Sequence, residues 1–300
     1  VRTKPEKIIQ NFCIWTDLLG FGNAFEEGEW SLQNSVCRKN LERLHRLEIS
    51  LHQSNDPSKE VAFVLNDGLA RVYDLPEYGN DAMRFLWWLH SALSNHWLLN
   101  RHDIQYGNPG ARSVMTFGDR VSSWREHTTF GDCFFGSPER KKLADKKICI
   151  YSPEEFQLNL AFSKAYIIET SGTKGGLPGP NMYIDKKALD AIESYLCHNS
   201  FLHLMPNGSE DYGDHGVLNF KKVLAYYEIT KTIDSDALYF NIYRIIENIK
   251  HKVMSLQFFS SPIKFNKRGI TTEIYHLKKY FPLDELDEKT HFFFDYDNYC

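Results

Sequence analysis

The chain has no C-x-x-C pair. Its six cysteines, Cys13, Cys37, Cys133, Cys149, Cys197 and Cys300, are scattered and stand at no ligand spacing from a histidine. That excludes a zinc knuckle and a dithiol redox motif. A basic excess is also missing: 35 Lys and Arg face 39 Asp and Glu, for a net charge of −4, so a general nucleic-acid binder is not expected. No hydrophobic run reaches bilayer length. The most apolar stretch, Phe85 to Leu99, carries two histidines and reads as a buried helix, so no membrane span is expected. The opening VRTKPEKIIQ lacks the apolar core of a signal peptide. A reduced, cytoplasmic setting is therefore expected, with the sequon at Asn207 unused. No repeat or low-complexity tract interrupts the chain. What is present is ordinary for a folded protein of 300 residues, with 42% hydrophobic and 25% charged residues. Aromatics, at 14%, favour sheet-rich packing.

Residues 8–16, IIQNFCIWT, form a β-branched apolar run that ends at Asp17, as a buried strand would. A glycine-containing turn, Leu18-Leu19-Gly20-Phe21-Gly22, leads to a helical period over 31–53 through Val36, Leu41, Leu44, Leu47 and Leu51. After a turn signal at 54–59, the runs 60–66 and 69–74 are strand-like and flank Asp67-Gly68, a pair that invites a hairpin. A long helix is expected from about Asn80 to His102, with Met83, Leu86, Leu89, Leu93 and Trp97 on its apolar face. A strand at 111–123 follows, then a turn-rich stretch ending in KKICIYS, a helix over 153–169 and a short strand at 181–185. The stretch 200–300 reads as helices, chiefly ALYFNIYRIIENIKHKVMSL, with polar connections. This order predicts an α/β sandwich of ferredoxin-like topology over residues 8–195, with an α-rich C-terminal extension over 196–300.

Two carboxylates stand out. Asp17 ends one apolar strand and Asp67 sits between two others. If the first strand lies between the hairpin strands, both emerge at one sheet edge. Beside the backbone N–H groups of Leu18, Leu19, Gly20, Phe21 and Gly22, they suit two Mg²⁺ ions and a triphosphate. The plainer reading makes Asp17 a helix cap and Asp67 a turn residue.

FCIWTDLLGFG resembles the first metal motif of the class III nucleotidyl cyclases, and VAFVLNDGLARVYD resembles their second metal hairpin. RSVMTFGD, NLAFSKAYIIE and GPNMYID are similar to three ordered blocks of the bacterial cyclase-like proteins that include the Pycsar antiphage pyrimidine cyclases. The resemblance spans residues 10–190. It implies a ferredoxin-like cyclase sandwich. Asp17, Asp67 and the Leu18 carbonyl would be donors to two Mg²⁺ or Mn²⁺ ions, with a nucleoside triphosphate as substrate and a homodimer sharing its sites. The implied activity turns UTP or CTP into its 3′,5′-cyclic monophosphate and pyrophosphate, as the signal generator of antiphage defence. The alternative is a cyclase-like protein that binds a nucleotide or partner without turnover.

The chain also departs from that pattern. Phe63 replaces the purine-reading lysine of class III purine cyclases, and the Asn/Arg pair of their late helix falls on Ser163 and Ile167. Phe63 can stack on a base but cannot hydrogen-bond a purine edge. Replacement cations are sought at Arg112, Arg120 and Lys164, with Tyr166 beside them. The plainer reading leaves the cations solvated and Tyr166 in the core. The segment Thr170–Gly176 lacks P-loop spacing and reads as a connector. The histidines and aspartates over 198–215 read as a surface loop, and His90 and His96 as interior or boundary histidines.

Overall fold

A computed structural model of the chain describes residues 7–51, 60–76, 82–122, 153–198, 200–206 and 220–282. Strand β1 (Lys7–Leu18) runs into a short helix α1 (Asn23–Glu27) and then α2 (Ser35–Leu51). The hairpin β2 (Glu60–Leu65) and β3 (Gly68–Asp74) follows, then α3 (Ala82–Gln105) and β4 (Ala111–Ser122). These strands stand side by side in the order β2-β3-β1-β4, all antiparallel. This is the ferredoxin-like βαββαβ arrangement expected from the element order. Strand β1 does not lie between the hairpin strands. It pairs with β3 on one side and β4 on the other.

Residues 11–16 of β1 are all buried because both faces of the strand are covered. Phe12 and Ile14 pack with Phe85, Leu89 and Leu93 of α3. Cys13 and Trp15 point to the other face, where Ala161 and Ala165 of α4 (Leu160–Glu169) close over them. Helix α4 starts later than the sequence suggests. Pro153 leads into a single 3₁₀ turn at Glu154–Phe156, and Leu158 then takes a φ of 47°. Only after that does Asn159 cap the helix, accepting the Phe162 N–H at 2.8 Å. The apolar stripe of α2 is also rotated from the expected one, since Leu41 is exposed while Cys37, Asn40, Arg43 and Leu47 are buried.

The α-rich C-terminal extension is overturned. After β5 (Met182–Asp185) and α5 (Lys186–Cys197), the described residues form β6 (Ser200–Pro206), β7 (Phe220–Ile233), β8 (Ala237–Ile246), β9 (Ile249–Phe259), β10 (Ile263–Lys267) and β11 (Ile270–Pro282). The sheet continues from β4 through β5-β11-β9-β8-β7-β6, with β4–β5 the one parallel pairing among the described residues. The expected helix at 237–256 is the β8–β9 hairpin, turning at Glu247 and Asn248, both at positive φ. Its aromatic and β-branched residues favour strands, and a bulge at Ile242/Tyr243 breaks the two-residue alternation into something closer to a helical period. Helices α3 and α5 cover one face of the sheet in a continuous core from Tyr73 to Tyr227. The turn at 54–59, the segment KKICIYS and residues 207–215 of the expected histidine-rich loop lie outside the described residues, while His203 of that stretch lies in β6, opposite Val223 of β7. No described helix is long and apolar enough to cross a membrane, which says nothing of a β-barrel.

Candidate functional site

Register brings Asp17 and Asp67 together. Asp17 pairs with Gly68 on β3 and with Arg112 on β4. Asp67 is one residue before Gly68, in a two-residue turn formed with Asn66, which takes a φ of 53°. The central turn residues are thus Asn66 and Asp67, not Asp67 and Gly68. The Asp67 carbonyl accepts the Leu18 N–H at 3.0 Å and locks the hairpin tip to the end of β1. Gly68 is needed there for space, because the Trp15 ring lies across it.

Burial pushes the Asp17 carboxyl up to about 7, and the nearby Glu169 and Asp67 carboxylates push the same way. Arg112 and Arg43 pull against them. Negative charge is therefore crowded at this edge, and a divalent cation would relieve it. Among the described residues no cluster of three or more His, Cys, Asp or Glu side chains is placed to hold a metal. The side-chain donors are Asp17 and Asp67. Two carboxylates completed by carbonyl, phosphate and water oxygens suit Mg²⁺ or Mn²⁺, so the donor set fits.

The expected phosphate cradle is only partly open. The Leu18 N–H is bound to Asp67, and the Leu19 N–H donates to the Gly110 carbonyl at 2.8 Å. Gly20 and Phe21 follow in the turn, with Gly20 at φ 64°.

The expected substrate cations are all engaged in ion pairs. Arg112 donates from Nε (2.9 Å) and Nη2 (2.7 Å) to Glu169 Oε1, and from Nη1 to the Leu177 carbonyl at 3.0 Å. Burial holds the Glu169 carboxyl above its ordinary value, with Arg112 opposing and Asp67 reinforcing. Lys164 binds Asp185 Oδ2 at 2.6 Å, and the Thr272 hydroxyl donates to the other oxygen of this fully buried carboxylate. Arg120 pairs with Asp74, its Nε 2.7 Å from Oδ1. These pairs explain the sequence blocks as a set of struts. Arg112 on β4 holds the end of α4, and Lys164 on α4 holds the end of β5. Phe63 and Tyr166 edge one aromatic cluster: Phe63 packs on Phe156, and half-exposed Tyr166 meets Trp15 edge-on at 5.5 Å.

Sequence reasoning missed the residues behind the site. Asn40 and Arg43 of α2 reach the turn after Asp17. A second buried chain runs beside β1. Thr16 Oγ1 meets Ser113 Oγ at 2.7 Å, Ser113 Oγ meets His96 Nδ1 at 2.7 Å, and Asn100 Nδ2 meets His96 Nε2 at 2.9 Å. Asn100 Oδ1 accepts the Ala111 N–H, so its Nδ2 is a donor and His96 Nε2 must accept. His96 is therefore neutral with its proton on Nδ1, as an interior histidine. Polar residues inside an otherwise apolar helical stripe were the available signal for Asn40, Arg43, His96 and Asn100.

No protein-family model matches the chain, and no curated protein matches it. Similar solved structures include the adenylyl cyclase CyaB from P. aeruginosa, at 8% identity and a TM-score of 0.44, covering 91% of this chain and 96% of that one. The guanylyl cyclase Cya2 is 11% identical with a TM-score of 0.39, over 95% and 98% of the two chains. The guanylate cyclase domain of RhGC from Catenaria anguillulae, in complex with GTP, is 11% identical with a TM-score of 0.36, over 67% and 91%.

Proposed function

We propose that the chain is a nucleotidyl cyclase of the class III type, directed to UTP or CTP and yielding the 3′,5′-cyclic monophosphate and pyrophosphate. The observation that carries this reading is the meeting of Asp17 and Asp67 at one sheet edge, close enough for one carboxylate to raise the pKa of the other. The ordered motif resemblance over residues 10–190 supports it. Two Mg²⁺ or Mn²⁺ ions bound by Asp17, Asp67 and the Leu18 carbonyl would acidify the ribose 3′-hydroxyl and neutralise charge on the triphosphate. The residues of the chain hold and orient the substrate. Asp17 and Asp67 fix the reacting end, while Gly20, Phe21 and Gly22 offer N–H groups to phosphate oxygens. Phe63 and Tyr166 present aromatic surface to the base, with no lysine at position 63 to read a purine edge. A homodimer sharing its sites and a role in antiphage signalling belong to the same reading.

One observation favours a second reading, a cyclase-like protein that binds a nucleotide without turnover: Arg112 and Lys164 are committed to Glu169 and Asp185 rather than to an incoming phosphate. Turnover of UTP or CTP by the parent separates the two, and Asp17→Asn and Asp67→Asn test the two aspartates. On the cyclase reading each folded variant loses Mn²⁺ binding by calorimetry and about a hundred- to a thousandfold in turnover, the scale of losing an electrostatic contact to the transition state. An Asp17→Asn protein that still cyclises at the parent rate would overturn it.

A further inference from the structure

Helix α2 grips the turn after Asp17 by its carbonyls. Arg43 Nη2 donates to the Leu19 carbonyl at 2.9 Å, and one helical turn earlier Asn40 Nδ2 donates to the Phe21 carbonyl at 2.7 Å. Both side chains are at least nine-tenths buried, an expensive place for an amide and a guanidinium unless each is held. Arg43 is fixed in turn by Asp103 of α3, with Nε at 2.9 Å from Oδ1 and Nη2 at 2.7 Å from Oδ2. The same Oδ2 accepts the Gly110 N–H at 3.1 Å, and the Gly110 carbonyl takes the Leu19 N–H. Leu19 is thereby held at both its N–H and its C=O.

In a trans peptide the C=O and the following N–H point in opposite directions, and no peptide bond among the described residues is cis. The Leu19 carbonyl shares its peptide with the Gly20 N–H, and the Phe21 carbonyl shares its peptide with the Gly22 N–H. Turning both carbonyls toward α2 turns both N–H groups away from it. Among the described residues the N–H groups of Gly20 and Gly22 meet no acceptor, and a Cβ added at Gly22 would meet only open space. We infer that Asn40 and Arg43 are positioning residues that orient the Leu19 and Phe21 peptides so that the Gly20 and Gly22 N–H groups face the phosphates of a nucleoside triphosphate. This rests on the nucleotide reading above.

The test uses the full chain and two alterations: Asn40→Leu, and Arg43→Met combined with Asp103→Asn. The second removes the grip on Leu19 without stranding a buried charge, and it keeps an acceptor for Gly110. Folding is checked by circular dichroism. Calorimetry then measures binding of Mn²⁺ alone and of inorganic tripolyphosphate with Mn²⁺. Each folded alteration is expected to weaken tripolyphosphate about tenfold, the scale of one lost hydrogen bond, and to change Mn²⁺ binding by much less. Should one alteration fail to fold, the other decides. Parent-like tripolyphosphate affinity would overturn the inference, as would an equal loss of Mn²⁺ or a parent that binds no tripolyphosphate. A parent that binds tripolyphosphate in this clamp-dependent way but cyclises no nucleotide would remove the cyclase reading and leave the clamp standing.

Discussion

Gly68 has no room for even a methyl group. A Cβ there would lie 2.2 Å from the Trp15 ring, which is itself buried and cannot swing aside. Gly68→Ala should therefore cost about 1–3 kcal/mol by overpacking, read as a lower midpoint in urea. An unchanged midpoint would mean that Trp15 does not lie across the hairpin. His96 offers a pH signature. Burial, with His276 adding to it, lowers its pKa from 6.5 to about 3 in the folded protein. As pH falls through 6.5, the unfolded chain takes up a proton that the folded chain refuses. This stability is whole above pH 6.5 and is lost toward pH 3, at up to about 1.4 kcal/mol per pH unit. His276, held at about 4, adds a loss of the same sign. The fall in thermal midpoint between pH 6.5 and 4 should be shallower in His96→Gln than in the parent. An equal slope would contradict a neutral His96. At this scale the sequence was readable where chemistry and position coincide, as at Asp17 and Asp67. It was not readable at Arg112 and Lys164. A cation beside a site looks the same in sequence whether its partner is a phosphate or, as here, a carboxylate 57 or 21 residues away.

Among the elements, β1 to β4 were legible because each carries its own signal: an apolar run ending in Asp, a hairpin turn, a long amphipathic helix. The β8–β9 hairpin was not, since Tyr239, Ile242, Tyr243 and Ile246 mimic a helical period once a bulge shifts the alternation. The Glu247-Asn248 turn was the overlooked mark. Helix α4 shows how elements are joined here. It is short, starts behind an Asn159 cap, and ends on Glu169, which Arg112 of β4 ties down inside the fold. Glu169→Leu leaves a buried guanidinium without its counter-ion and should cost about 3–5 kcal/mol. Adding Arg112→Met should recover most of that loss. Equal stability of the single and double variants in urea would show that the pair does not fix α4.

For the molecule as a whole, the ferredoxin-like unit positions the two aspartates, and the remaining strands widen the same sheet through β5 and β11. Those non-local pairings join segments nearly 90 residues apart, as between Asp185 and Ile274. No local pattern announces such a partner, which is why the C-terminal half escaped the sequence reading. On the proposed reading, substrate choice belongs to this scale too, because base and phosphates would meet different elements at once: the Phe63 and Tyr166 surface on one side, the turn after Asp17 on the other. On the same reading, two aspartates at one sheet edge cyclise a pyrimidine nucleotide. The most direct measurement is incubation of the purified chain with each of the four nucleoside triphosphates and Mn²⁺, products being identified by mass spectrometry. A cyclic monophosphate and pyrophosphate are expected from UTP or CTP, faster than from ATP or GTP, and lost in Asp17→Asn. Faster cyclisation of a purine would contradict the pyrimidine assignment, and no cyclic product from any of the four would contradict the cyclase.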